Sequence, residues 1–139
     1  MPFRPSKTKY RKEQRDRGFK GKESRVTELA FGSFGLKALE SKWLHEKHLE
    51  AARKVILYYL KKGGKFWFRV FPQKPFTSKG VEFSMGGGKG DVVGYVAPVK
   101  KGRIIVEIDG IEEKEATEAL KQVAFKLPLK TQFIKKNVK

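Results

Sequence analysis

Residues 65–75, KFWFRVFPQKP, constrain the fold more than any other stretch, because their pattern fits a strand with two unlike faces. Successive side chains of a β-strand point to opposite faces, so alternate residues lie together. The apolar face carries Phe66, Phe68 and Val70, whereas the mixed face carries Lys65, Trp67, Arg69 and Phe71. Pro72 and Pro75 are predicted to end the strand, because proline donates no hydrogen bond to a sheet.

Two amphipathic helices are predicted, one before and one after the central strands. Residues 46–62 and 112–126 both place apolar side chains three and four positions apart. Gly63 and Gly64 should end the first helix, and glutamates in the first turn of the second suit its dipole. The predicted buried stripes are Leu49, Ala52, Ile56, Tyr59 and Leu60 in the first helix, and Ala116, Ala119, Leu120, Val123 and Ala124 in the second.

The other segments are predicted to form strands and turns. Two short extended pieces surround FGSFG within residues 25–39, and a turn is predicted at 109–110. The connection at 100–102 is short enough for antiparallel pairing. Further strands are predicted at 81–85, 92–99, 103–108 and 130–134.

This order of elements predicts the α+β class, with two helices packed on a mostly antiparallel sheet. A basic extended N-terminal tail precedes them. We expect residues 1–24 to form this tail as an RNA-binding extension, and residues 25–139 to form a single folded domain.

The charge of the chain indicates a polyanionic partner. Its 139 residues include 32 Lys and Arg against 15 Asp and Glu, a formal net charge of +17 at pH 7. Such a balance is typical of nucleic-acid-binding proteins. Residues 1–24 hold nine basic and three acidic residues, so we expect this tail to become ordered only against a polyanion. A merely solubilising tail is the alternative.

A membrane surface is the other candidate partner. We see no long basic helix with a continuous apolar face, and no stretch approaches the roughly 20 apolar residues of a span. No membrane partner is therefore expected. The N-terminal residues lack the apolar stretch of a secretory signal and carry Glu13 and Asp16, so they are interpreted as part of the mature protein.

The sequence matches neither the P-loop motif nor the zinc-protease motif. In GGGKG, residues 86–90, Phe83 stands where a P-loop needs its first glycine, and Gly90 stands where it needs Ser or Thr. His45 and His48 are three residues apart, whereas zinc proteases need four, so both are interpreted as surface residues near a helix start. The chain has no cysteine, which excludes a thiolate metal site or nucleophile. We expect no cofactor, no metal and no enzymatic activity.

The mixed face of residues 65–71 then has two interpretations. We hypothesise that it packs against RNA, with Arg69 on a phosphate and an aromatic ring on a sugar or base. Alternatively, the protein's own loops cover Trp67 and Phe71. The loop at 86–90 similarly suits backbone phosphates through its exposed amides and Lys89, with a plain flexible linker as the alternative.

Five sequence blocks occur in an order that resembles a known family. They are SFGLKAL (33–39), LEAARK (49–54), KFWFRVFPQKP (65–75), MGGGKG (85–90) and KLPLKTQF (126–133). Over nearly its whole length the chain resembles ribosomal protein sixteen of the large subunit, of the bacterial and organellar type. The resemblance implies a compact α/β fold with a basic N-terminal extension. It also implies a non-enzymatic role in the ribosome, in the bacterial cytoplasm or an organelle matrix.

The same resemblance implies the partners and the contact residues. The partners would be large-subunit ribosomal RNA near the peptidyl-transferase region, neighbouring ribosomal proteins, A-site tRNA and, as a second expectation, P-site tRNA. By resemblance the protein would help shape the A site, and residues 7–17 would run among rRNA helices. The candidate rRNA-binding residues are Arg4, Lys7, Lys9, Tyr10, Arg11, Lys12, Arg15, Arg17, Lys65, Trp67, Arg69 and Lys74. The candidate loop for tRNA or RNA backbone comprises Met85, Gly86, Gly87, Gly88, Lys89 and Gly90.

Two positions depart from the family pattern. Ser84 stands where many bacterial members have an arginine, and Gly87 stands where the loop often has a lysine. We therefore expect weaker or differently placed loop contacts. Two other functions stay open: a free RNA chaperone or other basic RNA-binding module, and a nucleotide-dependent enzyme, which the P-loop spacing disfavours.

Overall fold

The computed structural model describes residues 26–60, 63–78 and 91–136. The predicted tail at 1–24, the strand at 81–85 and the glycine loop at 86–90 lie outside these residues. The described elements, in chain order, are β1 (Phe34–Ala38), β2 (Lys42–His45), α1 (Glu46–Tyr59), β3 (Lys65–Phe68), β4 (Lys74–Ser78), β5 (Asp91–Val99), β6 (Ile104–Asp109), α2 (Glu113–Lys126) and β7 (Thr131–Lys135).

The strands form two sheets. One has four strands in the order β3–β6–β1–β7, and the other has three in the order β2–β5–β4. Every described strand pair is antiparallel. The α+β class with two helices is therefore confirmed, while the single sheet of the prediction is in fact two.

A single apolar core joins the two helices to the sheets. The helices pack against each other, and α2 also packs on β1 and β7. Both predicted stripes are confirmed, except that Tyr59 and Ala124 are only half-buried. The buried apolar residues of the two helices, with Leu60 just after α1, are Leu49, Ala52, Ile56, Leu60, Ala116, Ala119, Leu120 and Val123. Removing this apolar surface from water is the main stabilising contribution, roughly 1.5–3 kcal/mol for each large side chain.

Helix α1 ends at Tyr59, shortly before the two glycines that were predicted to end it. The Leu60 amide donates to the Ile56 carbonyl at 3.0 Å and closes the last turn. Gly63 and Gly64 follow with φ of 118° and 110°, a region that residues with a Cβ rarely adopt. The chain therefore reverses at these glycines and enters β3 directly.

Pro75 does not end a strand, contrary to the prediction. It lies inside β4, opposite Tyr95 of β5. Strand β4 is at the edge of its sheet, so it pairs with β5 on one side only. Proline is tolerated there because its missing N–H can face away from the sheet.

The predicted pairing across residues 100–102 is also wrong. Strands β5 and β6 follow each other along the chain but belong to different sheets. The 25–39 segment holds one strand, β1, after an irregular stretch, rather than two extended pieces. Strand β2, KWLH, was not predicted, because four residues show too little alternation.

Candidate nucleic-acid interface

Residues 26–33, called the strap, cross the face of the four-stranded sheet that carries the Glu107 side chain. The Val26 carbonyl accepts a hydrogen bond from the Ile104 amide at 2.8 Å. At the other end, the Ser33 amide donates to the Ile108 carbonyl at 3.1 Å. The strap therefore follows β6 along its length.

Two glycines let the strap lie directly on the sheet. A Cβ at Gly32 would stand 2.7 Å from the Ile108 carbonyl oxygen. A Cβ at Gly35 would stand 2.6 Å from the Leu29 side chain. Both distances are below any ordinary contact, so a larger residue would displace the strap. The glycines of FGSFG thus allow this close backbone approach.

A buried carboxylate, Glu107 of β6, holds the strap in place. Its side chain is 0% exposed. One carboxylate oxygen, Oε1, accepts hydrogen bonds from the amides of Ala30, Phe31 and Gly32 at 2.8, 2.9 and 3.0 Å. The other, Oε2, accepts one from Nη1 of Arg69 at 2.7 Å. A buried charge is stable only when it is paired and hydrogen-bonded in this way.

These partners keep Glu107 ionised. Burial alone raises the pKa of a carboxyl group, because water no longer solvates the charge. The hydrogen bonds from the Gly32 and Phe31 amides, from the Arg69 side chain and from the Ala30 amide outweigh burial. Together they hold the pKa of Glu107 below its ordinary value.

Arg69 also joins the strap to the aromatic residues of β3. Its guanidinium carbon lies 4.6 Å from the centre of the Phe31 ring, a cation–π arrangement. The Phe31 ring lies 5.8 Å from the Trp67 ring, centre to centre. The strap therefore covers the mixed face of residues 65–71 at Trp67 and Arg69, and Trp67 is half-buried as a result.

Beyond the strap, a basic groove opens where the chain passes from β3 to β4. Its volume is about 740 Å³, which is in the usual range for a small-ligand site. Its lining combines three cations with aromatic and amide side chains, and no acid is among the described residues that form it. These residues are Phe68, Arg69, Val70, Phe71, Gln73, Lys74, Ala97, Pro98 and Arg103.

The groove presents cations beside an exposed ring. Phe71 is 45% exposed. Nη2 of Arg103 donates to the Arg69 carbonyl at 2.7 Å, which fixes Arg103 at the groove wall. The Lys74 ammonium lies 5.8 Å from the centre of the Trp43 ring. Cations for phosphates next to an aromatic face for a sugar or base are what single-stranded or irregular RNA requires.

Comparison with known proteins agrees with this chemistry. The sequence model of the ribosomal protein L16p/L10e family matches residues 5–134. A curated relative from Bacteroides thetaiotaomicron, the large ribosomal subunit protein uL16, is 48% identical over 132 residues. That alignment covers 95% of this chain and 91% of the relative. The chain belongs to the ribosomal protein L16p/L10e family. The match includes residues of the N-terminal tail and the glycine loop.

The structure brings only part of the predicted RNA-binding set together. Arg69 and Lys74 both line the basic groove. Lys65 is exposed at the other end of β3, opposite Asp109, and Trp67 lies under the strap. The roles of these residues in RNA binding stay predictions. The other candidates, in residues 4–17 and 85–90, lie outside the described residues.

Sequence reasoning did not identify Arg103 and Gln73 as residues of the groove wall, or Glu107 as the buried partner of Arg69. The segment RIIVEI was interpreted only as a strand. Its acid, placed between apolar neighbours on a buried strand, was the available signal for an internal ion pair. Arg69 was assigned to a phosphate, whereas in this structure it also pairs with Glu107.

The two histidines support the start of α1. His45 is the last residue of β2, and its amide donates to Nδ1 of His48 at 3.1 Å. Both are half-buried rather than fully on the surface, and burial lowers the pKa of each below its ordinary value. In the described part of the chain, no group of three or more metal-ligating side chains could hold an ion.

An acidic cleft lies at the opposite end of β3 from the basic groove. It encloses about 700 Å³ between the end of α1 and the start of α2. Its lining includes Tyr58, Glu112, Glu115 and Glu118. Among the described residues, the groove and the cleft therefore carry opposite charges, and a polyanion is favoured at the groove over the cleft. None of the described helices is long and apolar enough to cross a bilayer.

Proposed function

We propose that this chain is a structural constituent of the large ribosomal subunit and binds large-subunit rRNA through the basic groove and the basic N-terminal tail. The observation that carries the proposal is the family match over residues 5–134, together with the 48% identical ribosomal relative. The net charge of +17 and the position of the groove support it.

In this proposal the groove binds by neutralising phosphates and by shape. Arg69, Lys74 and Arg103 would meet phosphate oxygens, and Phe71 would stack on a sugar or base. Residues 1–24 form an RNA-binding extension, and residues 25–139 form the folded domain. The protein acts as a scaffold and not as an enzyme.

The finer partners are proposed from the resemblance to the family. We expect A-site tRNA, and as a second expectation P-site tRNA, to approach the loop at residues 85–90. Neighbouring ribosomal proteins complete the surroundings. Because the cited relative is bacterial, we place the protein in ribosomes of the bacterial cytoplasm, with an organelle matrix as the other location.

A salt titration tests the groove. Lys74→Gln should lower the affinity for deproteinised large-subunit rRNA and reduce the slope of log affinity against log salt by about one, the value for one lost phosphate contact. Lys121→Gln is the matched control, since Lys121 is an exposed lysine on α2 and loses the same charge. Equal effects of the two substitutions would refute the groove as the contact.

Removal of residues 1–24 tests the tail in the same assay. The shortened protein should keep its circular dichroism spectrum, because the described core is built from later residues. Its rRNA affinity should fall and its salt dependence should flatten. An unchanged salt slope would contradict an RNA-bound tail.

A further inference from the structure

The strap, Glu107 and Arg69 form one connected unit beside the basic groove. Glu107 has no exposed surface and is not part of the groove lining. Its two oxygens bind both the strap amides and the Arg69 side chain. Acidic side chains in a chain of net charge +17 can stay solvated, and burying a charge costs free energy. The full burial of Glu107 therefore indicates a structural function for its carboxylate.

This unit is connected to the wall of the basic groove at two places. Arg69 is both an ion-pair partner of Glu107 and a wall residue of the groove. Val26, the first described residue, is hydrogen-bonded to the Ile104 amide, next to Arg103 of the groove wall. The start of the strap is therefore tied to the residue that follows Arg103 in the chain.

We propose that Glu107 is a positioning residue for RNA binding, although it touches no RNA itself. It holds Arg69 in the groove wall and keeps the strap on the sheet. In this way Arg69 is held in place before RNA binds, so that less conformational entropy is lost when the groove binds RNA. The inference rests on the proposed rRNA binding.

Electrostatics and positioning predict opposite results for Glu107→Gln. The substitution keeps the size of the side chain but raises the net charge from +17 to +18. Charge alone would therefore strengthen binding to a polyanion. The amide cannot replace the anion that accepts four hydrogen bonds, so positioning predicts an affinity about tenfold lower and a smaller salt slope.

The matched control is Glu115→Gln, which makes the same change of charge. Glu115 is exposed on α2 and lines the acidic cleft rather than the basic groove. This variant should bind rRNA as tightly as the unmodified protein, or more tightly. Hydrogen exchange gives a second readout: the amides of Ala30, Phe31 and Gly32 should be protected in the unmodified protein and exchange faster in Glu107→Gln.

The assay uses the full chain and deproteinised large-subunit rRNA, at a temperature where circular dichroism shows both variants folded. If Glu107→Gln does not fold, Gly32→Ala takes its place. Its Cβ would displace the strap without any change of charge, and it should also weaken binding.

The outcomes separate the two proposals. If the unmodified chain fails to bind rRNA, the proposed function itself is wrong. If it binds and Glu107→Gln, or Gly32→Ala in its place, binds equally or more tightly, the positioning role is overturned. Weaker binding with a smaller slope, absent in Glu115→Gln, supports it.

Discussion

Arg69 of the β3–β4 connection and Glu107 of β6 form an ion pair at 2.7 Å, with the Glu107 side chain fully buried. The pair lies beneath the strap, whose amides bond to the same carboxylate. It links the strap with a wall of the basic groove. In the proposed function, the stability of the domain and its RNA binding share these two residues.

Loss of Arg69 should destabilise the domain. Arg69→Gln leaves the buried Glu107 charge with three amide donors but without its cation, which should cost about 2–4 kcal/mol of unfolding free energy. Lys65→Gln, an exposed residue of the same β3 stretch, loses the same charge and should change stability by less than about 0.5 kcal/mol. Urea denaturation measures both. Equal effects would show that the pair is not structural.

The stability should also depend on pH through Glu107. Its pKa is lowered in the folded state, so the folded protein binds a proton less readily than the unfolded chain. The contribution of Glu107 is therefore fully present above the unfolded pKa, about 4.3 for glutamate, and is lost as the pH falls through the folded pKa.

The difference in unfolding free energy between the unmodified protein and Glu107→Gln measures this contribution. It should be constant from pH 7 down to about pH 5 and shrink at more acidic pH. A difference that stays constant to pH 3 would show that Glu107 has an ordinary pKa in the folded protein.

Trp67 should matter for folding, because the strap covers it. Trp67→Ala removes the contact with Phe31 and should destabilise the domain about as much as Phe68→Ala, by roughly 2–4 kcal/mol. Thermal unfolding of the two variants gives the comparison. If Trp67→Ala keeps its stability and only RNA binding falls, the tryptophan belongs to the RNA surface instead.

Phe71 should behave in the opposite way. It is 45% exposed in the groove, so Phe71→Ala should change stability by less than about 1 kcal/mol. Its rRNA affinity should fall by about 1–3 kcal/mol if the ring stacks on a base. Phe125→Ala, at a 70% exposed phenylalanine of α2, is the control and should leave the affinity unchanged. If Phe71→Ala and Phe125→Ala bind rRNA with equal affinity, Phe71 is not part of the RNA interface.

The local patterns of the sequence predicted much of the fold. The apolar spacing in 46–62 and 112–126 gave both helices, and the alternation in 65–71 gave β3 with its apolar side toward the core. These features depend on neighbours within a few residues. Pro75 misled the prediction, because only the position of β4 at a sheet edge makes a proline acceptable.

The rest depends on contacts between distant residues. No local pattern tells that β5 and β6 belong to different sheets, or that the strap amides reach Glu107, which is 75–77 residues away in the chain. For the same reason the sequence did not predict the groove. Arg69 and Lys74 lie in one short segment, but Arg103, the residue before β6, joins them only through the tertiary fold.

Sedimentation tests the central claim most directly. A tagged full-length chain, expressed in bacterial cells, should sediment with large subunits and with assembled ribosomes in a sucrose gradient at low salt. It should stay with the large subunit after the two subunits are separated at low magnesium. Recovery of the protein only at the top of the gradient, while large subunits remain intact, would contradict its assignment as a large-subunit constituent.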